Sequence, residues 1–146
     1  MKKKLLLIVF SALGLIARSQ NVTGVWKEIY DRWENRKFIL ILKGNLDSAV
    51  TGHSMSILYT DNDTDTVFCS LKIEYNQKEK RLYIEETGVI PGKKIMKEPY
   101  CLEKIAVRFN NKKRNRLFGK TENIDINCAP LPGSARTKTV EFFKVN

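Results

Sequence analysis

Short runs of alternating apolar and polar residues, separated by turn residues, recur along the chain after residue 20. The clearest run spans residues 67–76, where one set of alternate positions is apolar and the other is mostly polar. The apolar set is Val67, Cys69, Leu71, Ile73 and Tyr75. A strict period of two predicts a β-strand that buries one face and leaves the other in water.

Seven further runs resemble strands, at residues 22–30, 37–43, 50–59, 81–88, 101–109, 116–122 and 137–145. Turn residues separate them, and most connections between neighbouring runs are short, which favours antiparallel neighbours in chain order. Eight such strands can close into a barrel, and closure removes the exposed sheet edges that invite aggregation. We therefore predict an all-β fold, a single antiparallel up-and-down β-barrel of about eight strands.

The start of the chain has a different pattern. A basic Met1-Lys2-Lys3-Lys4 run precedes a largely apolar run of 12 residues from Leu5 to Ile16, and Ala17-Arg18-Ser19 places small residues before a cleavage point. This is the organisation of a secretory signal peptide. The alternative is a membrane anchor, but a spanning helix needs about 20 apolar residues. We predict a signal peptide over residues 1–19, a single domain over 20–146, and export to the periplasm or the exterior. We expect no transmembrane segment in the mature chain.

The predicted mature chain has 127 residues, with 22 basic and 16 acidic residues, and thus a net charge of +6. A positive surface suits anionic partners, although many proteins without such partners carry one. The strongest basic cluster lies on a predicted hairpin tip and comprises Lys112, Lys113, Arg114 and Arg116. We interpret it as a solvated turn, with contact to an anionic surface as the alternative. Export removes most nucleic acid from reach, so we expect no specific nucleic-acid partner.

The tripeptide Gly24-Val25-Trp26 lies on the first predicted strand. A Gly-x-Trp motif there, with an export signal, about 120 mature residues and eight strands in meander order, resembles the lipocalins and related calycin barrels. More specifically, the chain resembles small lipocalin-like proteins exported by bacteria, most of which have no assigned function. The resemblance implies that Trp26 closes one end of the barrel against the start of the chain. It also implies that Gly24 permits the close backbone approach.

The three cysteines are Cys69, Cys101 and Cys128, so at most one pair can form within the chain. Export permits a disulfide. The resemblance implies a Cys101–Cys128 bond, because such chains often pair a cysteine that opens a late strand with one before the last strand. The alternation places Cys69 on a buried face, where a free cysteine behaves as a small apolar residue. Pairing of Cys69 with either partner is the alternative.

The sequence offers little for metal binding or catalysis. Three aspartates have the spacing that opens a calcium loop, namely Asp61, Asp63 and Asp65. Thr66 and Lys72 stand where such a loop needs a glycine and its last acid, so we interpret the segment as a polar turn. His53 is the only histidine. A transition-metal site usually needs several His or Cys ligands, and a catalytic triad needs a nucleophile and an orienting acid around the histidine, which nothing in the sequence indicates. We expect no metal, no cofactor and no enzymatic activity, and an enzyme ranks third among the functional hypotheses.

Two binding hypotheses rank above it. The first is a non-catalytic protein that holds a small apolar or amphipathic ligand in the barrel. Its predicted pocket is lined by His53, Met55, Ile57, Tyr59, Val67, Cys69, Leu71 and Ile73. The second is a filled barrel that binds a protein or an anionic envelope component through its loops, over Val89–Pro99 and Lys112–Arg116.

Overall fold

The computed structural model describes residues 20–29, 36–60, 63–91, 102–110, 113–123 and 137–145. They form eight strands: β1 (Gly24–Glu28), β2 (Arg36–Gly44), β3 (Val50–Thr60), β4 (Asp63–Asn76), β5 (Arg81–Val89), β6 (Glu103–Phe109), β7 (Arg116–Asn123) and β8 (Thr137–Val145). All pairs are antiparallel in chain order, and β8 pairs with β1 to close the barrel. The predicted all-β, eight-stranded up-and-down barrel is confirmed. The predicted signal peptide lies outside the described residues.

The barrel has two ends that differ in their connections. The β2–β3, β4–β5 and β6–β7 connections meet at one end, which we call the turn end. The β1–β2, β3–β4, β5–β6 and β7–β8 connections meet at the other, which we call the loop end. The described residues include no helix long and apolar enough to span a membrane.

The strand register determines which side chains enter the barrel. Trp26 pairs with Leu40, Leu40 with Ser54, and Ser54 with Cys69. Directly paired residues in a sheet point to the same side, and successive residues alternate. Trp26 and Leu40 are fully buried members of the main apolar cluster, so this row faces the interior.

Apolar side chains from six strands fill the interior toward the turn end. The cluster includes Trp26, Phe38, Leu40, Leu42, Leu82, Ile84, Ile105, Val107, Leu117, Val140 and Phe142, each at most 2% exposed. The interior of an eight-stranded barrel is just wide enough for side chains to fill it. This part of the barrel is therefore a packed core.

Trp26 packs against the segment that precedes β1. Its indole Nε1 donates a hydrogen bond to the carbonyl oxygen of Val22 over 2.9 Å, and both residues are fully buried. The indole and the Phe109 ring pack edge to face, with centroids 5.8 Å apart. Gly24 has φ +147°, a conformation that residues with a side chain rarely adopt, and a Cβ there would lie 2.6 Å from Lys144 Cε. The backbone conformation at this position therefore favours glycine, and the flexible Lys144 side chain lies over it.

Candidate functional site

Buried polar side chains gather inside the barrel toward its loop end. Arg36, Ser54, Ser56, Glu86, Glu103 and Thr121 are each at most 9% exposed, and we call them the polar cluster. They lie on interior-facing positions of β2, β3, β5, β6 and β7. A charged layer thus lies beside the apolar core, where an unpaired charge would be costly.

An ion pair crosses this layer. Arg36 Nη1 lies 2.7 Å from Glu103 Oε1, and β2 and β6 are four strands apart in the closed order, so the contact spans the interior. Arg36 also donates to Ser56 Oγ from Nε at 3.2 Å and from Nη2 at 2.9 Å. Thr121 Oγ1 donates to Glu103 Oε2 over 2.8 Å. The guanidinium carbon lies 4.9 Å from the centre of the Phe38 ring. The pair is therefore oriented by hydrogen bonds and by an aromatic face.

A second carboxylate, Glu86, lies next to this pair. Its Oε1 is 2.5 Å from Ser54 Oγ, and its Oε2 accepts a hydrogen bond from the Glu103 backbone N–H over 3.0 Å. Burial raises the pKa of Glu86 most strongly and the charge of Glu103 adds to the effect, while Ser54, Arg36 and the Glu103 N–H act in the opposite direction. The environment therefore favours the protonated form of Glu86 more than water does.

A β-bulge follows Glu86 on β5 and changes the alternation of the residues beyond it. Leu71 pairs with Glu86, but Ser70 pairs with Gly88, which leaves Thr87 without a partner in the ladder. Bulges redirect side chains and are frequent beside functional sites. Past the bulge, Val89 pairs with Cys69 and is 50% exposed. The bulge therefore brings Val89 to the same face of the sheet as Glu86, near the loop end of the barrel.

Cys69 is a buried free thiol beside Glu86. Burial, followed by the charge of Glu86, raises the pKa of Cys69 to about 12, while a hydrogen bond with Ser54 acts in the opposite direction. Only the thiolate is a good nucleophile, and at neutral pH this thiol stays protonated. Cys69 therefore contributes packing and a weak hydrogen bond to the cluster.

The structure corrects half of the predicted pocket. His53, Met55, Ile57 and Tyr59 lie on the outer face, because Met55 pairs with Ile39 and Phe68, which alternate with interior residues. Two serines occupy interior positions of β3 instead: Arg36 donates hydrogen bonds to Ser56, and Ser54 donates one to Glu86. The four predicted residues on β4, namely Val67, Cys69, Leu71 and Ile73, do lie on interior-facing positions.

The predicted basic patch is divided in the structure. Arg116 Nη1 forms an ion pair with Glu141 Oε1 at 3.0 Å, whereas Lys113 and Arg114 are exposed in the β6–β7 turn. Lys112 lies outside the described residues, as do Cys101 and Cys128. Of the Val89–Pro99 connection, the structure describes residues 89–91.

The sequence analysis missed the charged members of the polar cluster, although a signal for them was present. Arg36 precedes Phe38 and Leu40 in the same period-two phase. Glu86 follows Leu82 and Ile84 in phase. Glu103 likewise precedes Ile105 and Val107. A charged residue at an alternate position from buried apolar residues is expected on the same, inward face of its strand. When several such residues lie at strand ends that meet at one end of a barrel, they predict a buried charged layer there.

In comparisons with models of known families, with curated proteins and with solved structures, nothing matched the chain. Within the described residues, no group of three His, Cys, Asp or Glu side chains is arranged to hold a metal ion. The functional argument therefore rests on the chemistry of the polar cluster.

Proposed function

We propose that this chain is an exported, non-catalytic binding protein of lipocalin-like type that holds a small amphipathic ligand at the loop end of its barrel. The observation that carries the proposal is the polar cluster, with its charged side chains inside the barrel. A buried ion pair often adds no more stability than apolar residues of the same volume. Recognition of a polar ligand group therefore explains the cluster better than stability does.

The position of the cluster suggests how such a ligand would lie. Apolar side chains fill the interior toward the turn end, which favours a shallow site near the loops. The polar group of the ligand would contact the cluster, and its apolar part would lie against Val89, whose side chain is half exposed beside the cluster. A few polar groups that fix the orientation of a largely apolar ligand are typical of small-molecule sites.

The charge balance of the cluster favours one class of ligand. Arg36 supplies one positive charge, while Glu86 and Glu103 supply two carboxylates. An anionic head group, as in a fatty acid, would be repelled by the carboxylate of Glu103, and by that of Glu86 whenever Glu86 is ionised. The guanidinium that would attract it is already paired. A primary amine could instead pair with ionised Glu86 and donate hydrogen bonds to it. We therefore propose an amphipathic amine, or a neutral hydrogen-bond donor, as the ligand class.

The test is a fluorescence titration of the purified protein with a dansylated alkylamine and a dansylated fatty acid of equal chain length. We expect saturable one-to-one binding of the amine, about tenfold tighter than binding of the acid. Glu86→Gln removes one carboxylate charge and should weaken amine binding about tenfold. Glu85→Gln is the matched control, because Glu85 points outward to Lys104, with 3.6 Å between the charged atoms. Absence of saturable binding, or equal losses in both variants, would contradict the proposal.

The filled core supports one alternative, an interaction module that binds a protein or an anionic envelope component through its loops. If the folded protein bound neither amphiphile, the apolar interior would serve only stability, and partners would have to contact the outside. A pull-down on acidic polymer beads at increasing salt would then test the alternative, because contacts between exposed charges weaken with ionic strength.

A further inference from the structure

A groove of about 640 Å³ opens at the turn end, at the opposite end of the barrel from the polar cluster. The β4–β5 and β6–β7 turns contribute to its walls. Three cationic and three aromatic residues line it: Lys80, Arg108, Arg114, Tyr75, Phe109 and Phe118. Glu103 and Phe109 are six residues apart on β6, about 20 Å at the usual rise of a strand. The groove is therefore separate from the proposed interior site.

The cations of the groove are available to a ligand. Within the described part of the chain, Lys80, Arg108 and Arg114 form no ion pair. Glu79 also lines the groove, but its carboxylate accepts a hydrogen bond from the Tyr83 hydroxyl. With all these groups ionised, the described lining carries three positive charges and one negative charge. Convergent unpaired cations favour a multiply charged anion.

Asparagine side chains hold the described residues of both turns that carry the cations. Asn76 Oδ1 accepts hydrogen bonds from the backbone N–H groups of Lys78 at 3.0 Å and Glu79 at 3.1 Å. Asn110 Oδ1 accepts one from the Lys113 N–H at 3.2 Å, just before Arg114. Turns held in this way have less conformational entropy to lose on binding.

The aromatic residues add a second kind of contact. Arg108 and Phe118 are directly paired across β6 and β7, on the outer face, so their side chains lie next to each other. Phe118 is 45% exposed, which is high for a large apolar side chain. A ligand anion on Arg108 would thus place the adjoining part of the ligand over an accessible ring.

A second groove, of about 420 Å³, lies on the outer face from β4 to β8, but its charges balance, because three lysines and three glutamates line it: Lys72, Lys104, Lys120, Glu74, Glu85 and Glu122. Lys72 Nζ lies 3.0 Å from Glu74 Oε1, and Lys104 Nζ lies 3.6 Å from Glu85 Oε2. It therefore has no preference for either sign of charge, in contrast to the groove at the turn end.

We infer that the turn-end groove binds a small phosphate ester whose organic part is aromatic or apolar. Guanidinium groups match the geometry of a phosphate through two parallel hydrogen bonds, and a phosphate dianion can use more than one cation. The groove volume lies within the range of small-molecule sites. The ester can be a free metabolite or the head group of a lipid, and the experiment distinguishes these sources.

The test uses the purified protein and three probes: 1-naphthyl phosphate, inorganic phosphate, and vesicles that contain phosphatidic acid. By calorimetry we expect one-to-one binding of 1-naphthyl phosphate, about tenfold tighter than that of inorganic phosphate, because of ring stacking. Arg108→Gln and Arg114→Gln should each weaken it about tenfold. Phe118→Ala should make the affinity for 1-naphthyl phosphate equal to that for inorganic phosphate, because it removes the ring on which the naphthyl group stacks. Arg108-dependent retention on the vesicles identifies a lipid source, and lack of retention identifies a soluble ester.

Lys120→Gln is the matched control, because it removes the same charge from an exposed position on β7 that does not line this groove. It should leave the affinity for 1-naphthyl phosphate unchanged. The inference is overturned if 1-naphthyl phosphate shows no saturable binding, or if Lys120→Gln weakens it as much as Arg108→Gln. Loss of amine binding at the loop end would not affect this result, because the two sites share no residues.

Discussion

The guanidinium of Arg36 and the carboxylate of Glu103 meet 2.7 Å apart inside the barrel, although their strands lie on opposite sides of it. The contact connects the first residue of β2 with the first residue of β6, at the loop end of both strands. It therefore links two strands, β2 and β6, that no ladder of backbone hydrogen bonds connects directly. Removing only one member of such a buried ion pair destabilises a protein strongly, because the remaining charge is left buried without its partner.

Arg36→Met should lower the free energy of unfolding by about 3–5 kcal/mol, because it leaves Glu103 charged and buried without its guanidinium partner. The double variant Arg36→Met/Glu103→Leu should regain most of that loss, since it removes both charges together. Urea unfolding of the wild type, both single variants and the double variant gives the coupling energy. Additive effects of the two substitutions would mean that the pair does not couple the strands.

Stability should depend on pH through Glu86. The folded protein holds the pKa of Glu86 above its usual 4.5, chiefly because the residue is buried. The folded state therefore binds the proton more tightly than the unfolded state does. The stabilising contribution of Glu86 is complete below pH 4.5 and is lost as pH rises toward the pKa of the folded state.

Glu86→Gln cannot ionise, so its stability relative to the wild type should increase as pH rises from about 4.5. Urea unfolding at several pH values between about 4 and 9 measures this difference. Glu85→Gln, which removes a carboxylate on the outer face beside Lys104, is the control for the substitution itself. A pH-independent difference for Glu86→Gln would show that the folded protein does not shift this pKa.

The sequence predicts the strands well because each has a period-two pattern or a short apolar run between turn residues. The 67–76 pattern lies within β4, and the predicted ends of the last strand coincide with those of β8. Such local signals also favour the observed strand order wherever the connection is only a few residues long, as at β2–β3, β4–β5 and β6–β7. Eight strands in this order can close into a barrel, and the pairing of β8 with β1 shows that they do.

The faces of β3 were harder to predict. The outward residues His53, Met55, Ile57 and Tyr59 are more apolar than the inward Ser54 and Ser56. This is the reverse of the usual strand, whose apolar residues face the interior. Ile39 and Phe68, on the neighbouring strands, give Met55 apolar neighbours on the outer face. The serines face inward because they satisfy Arg36 and Glu86, which lie 20 and 32 residues away. A single strand pattern contains no information about such distant partners.

Two strand glycines offer a matched test of packing. A Cβ at Gly119 would lie 1.9 Å from the backbone oxygen of Ala106, whereas a Cβ at Gly88 would meet nothing within 4 Å. Gly119→Ala must therefore displace β6, and we expect it to lower stability by about 1–3 kcal/mol or more. Gly88→Ala should be neutral or slightly stabilising, because it restricts the unfolded chain.

Thermal unfolding of the two glycine variants, followed by circular dichroism, measures the contrast. Gly119→Ala should melt several degrees below the wild type, while Gly88→Ala should melt close to it. Equal melting temperatures would mean that β6 and β7 do not approach as closely at Gly119 and Ala106 as the structure has them.

The three cysteines should differ in accessibility. Cys69 is fully buried with its pKa raised to about 12, so an alkylating reagent should modify it only after the protein unfolds. Peptide mapping of unreduced protein, alkylated before and after addition of guanidinium chloride, measures this directly. We predict that the same map contains a Cys101–Cys128 cross-link, the pairing that the lipocalin-like resemblance implies.

That disulfide would close a loop of 28 residues, counting both cysteines. In the chain-entropy model such a bond stabilises by roughly 3–4 kcal/mol, because it restricts the unfolded chain. Cys101→Ser should therefore lower the free energy of unfolding by about that amount, whereas Cys69→Ala should cost only the packing of one small side chain. A cross-linked peptide that contains Cys69 would contradict both predictions, because forming it would require the interior of β4 to open.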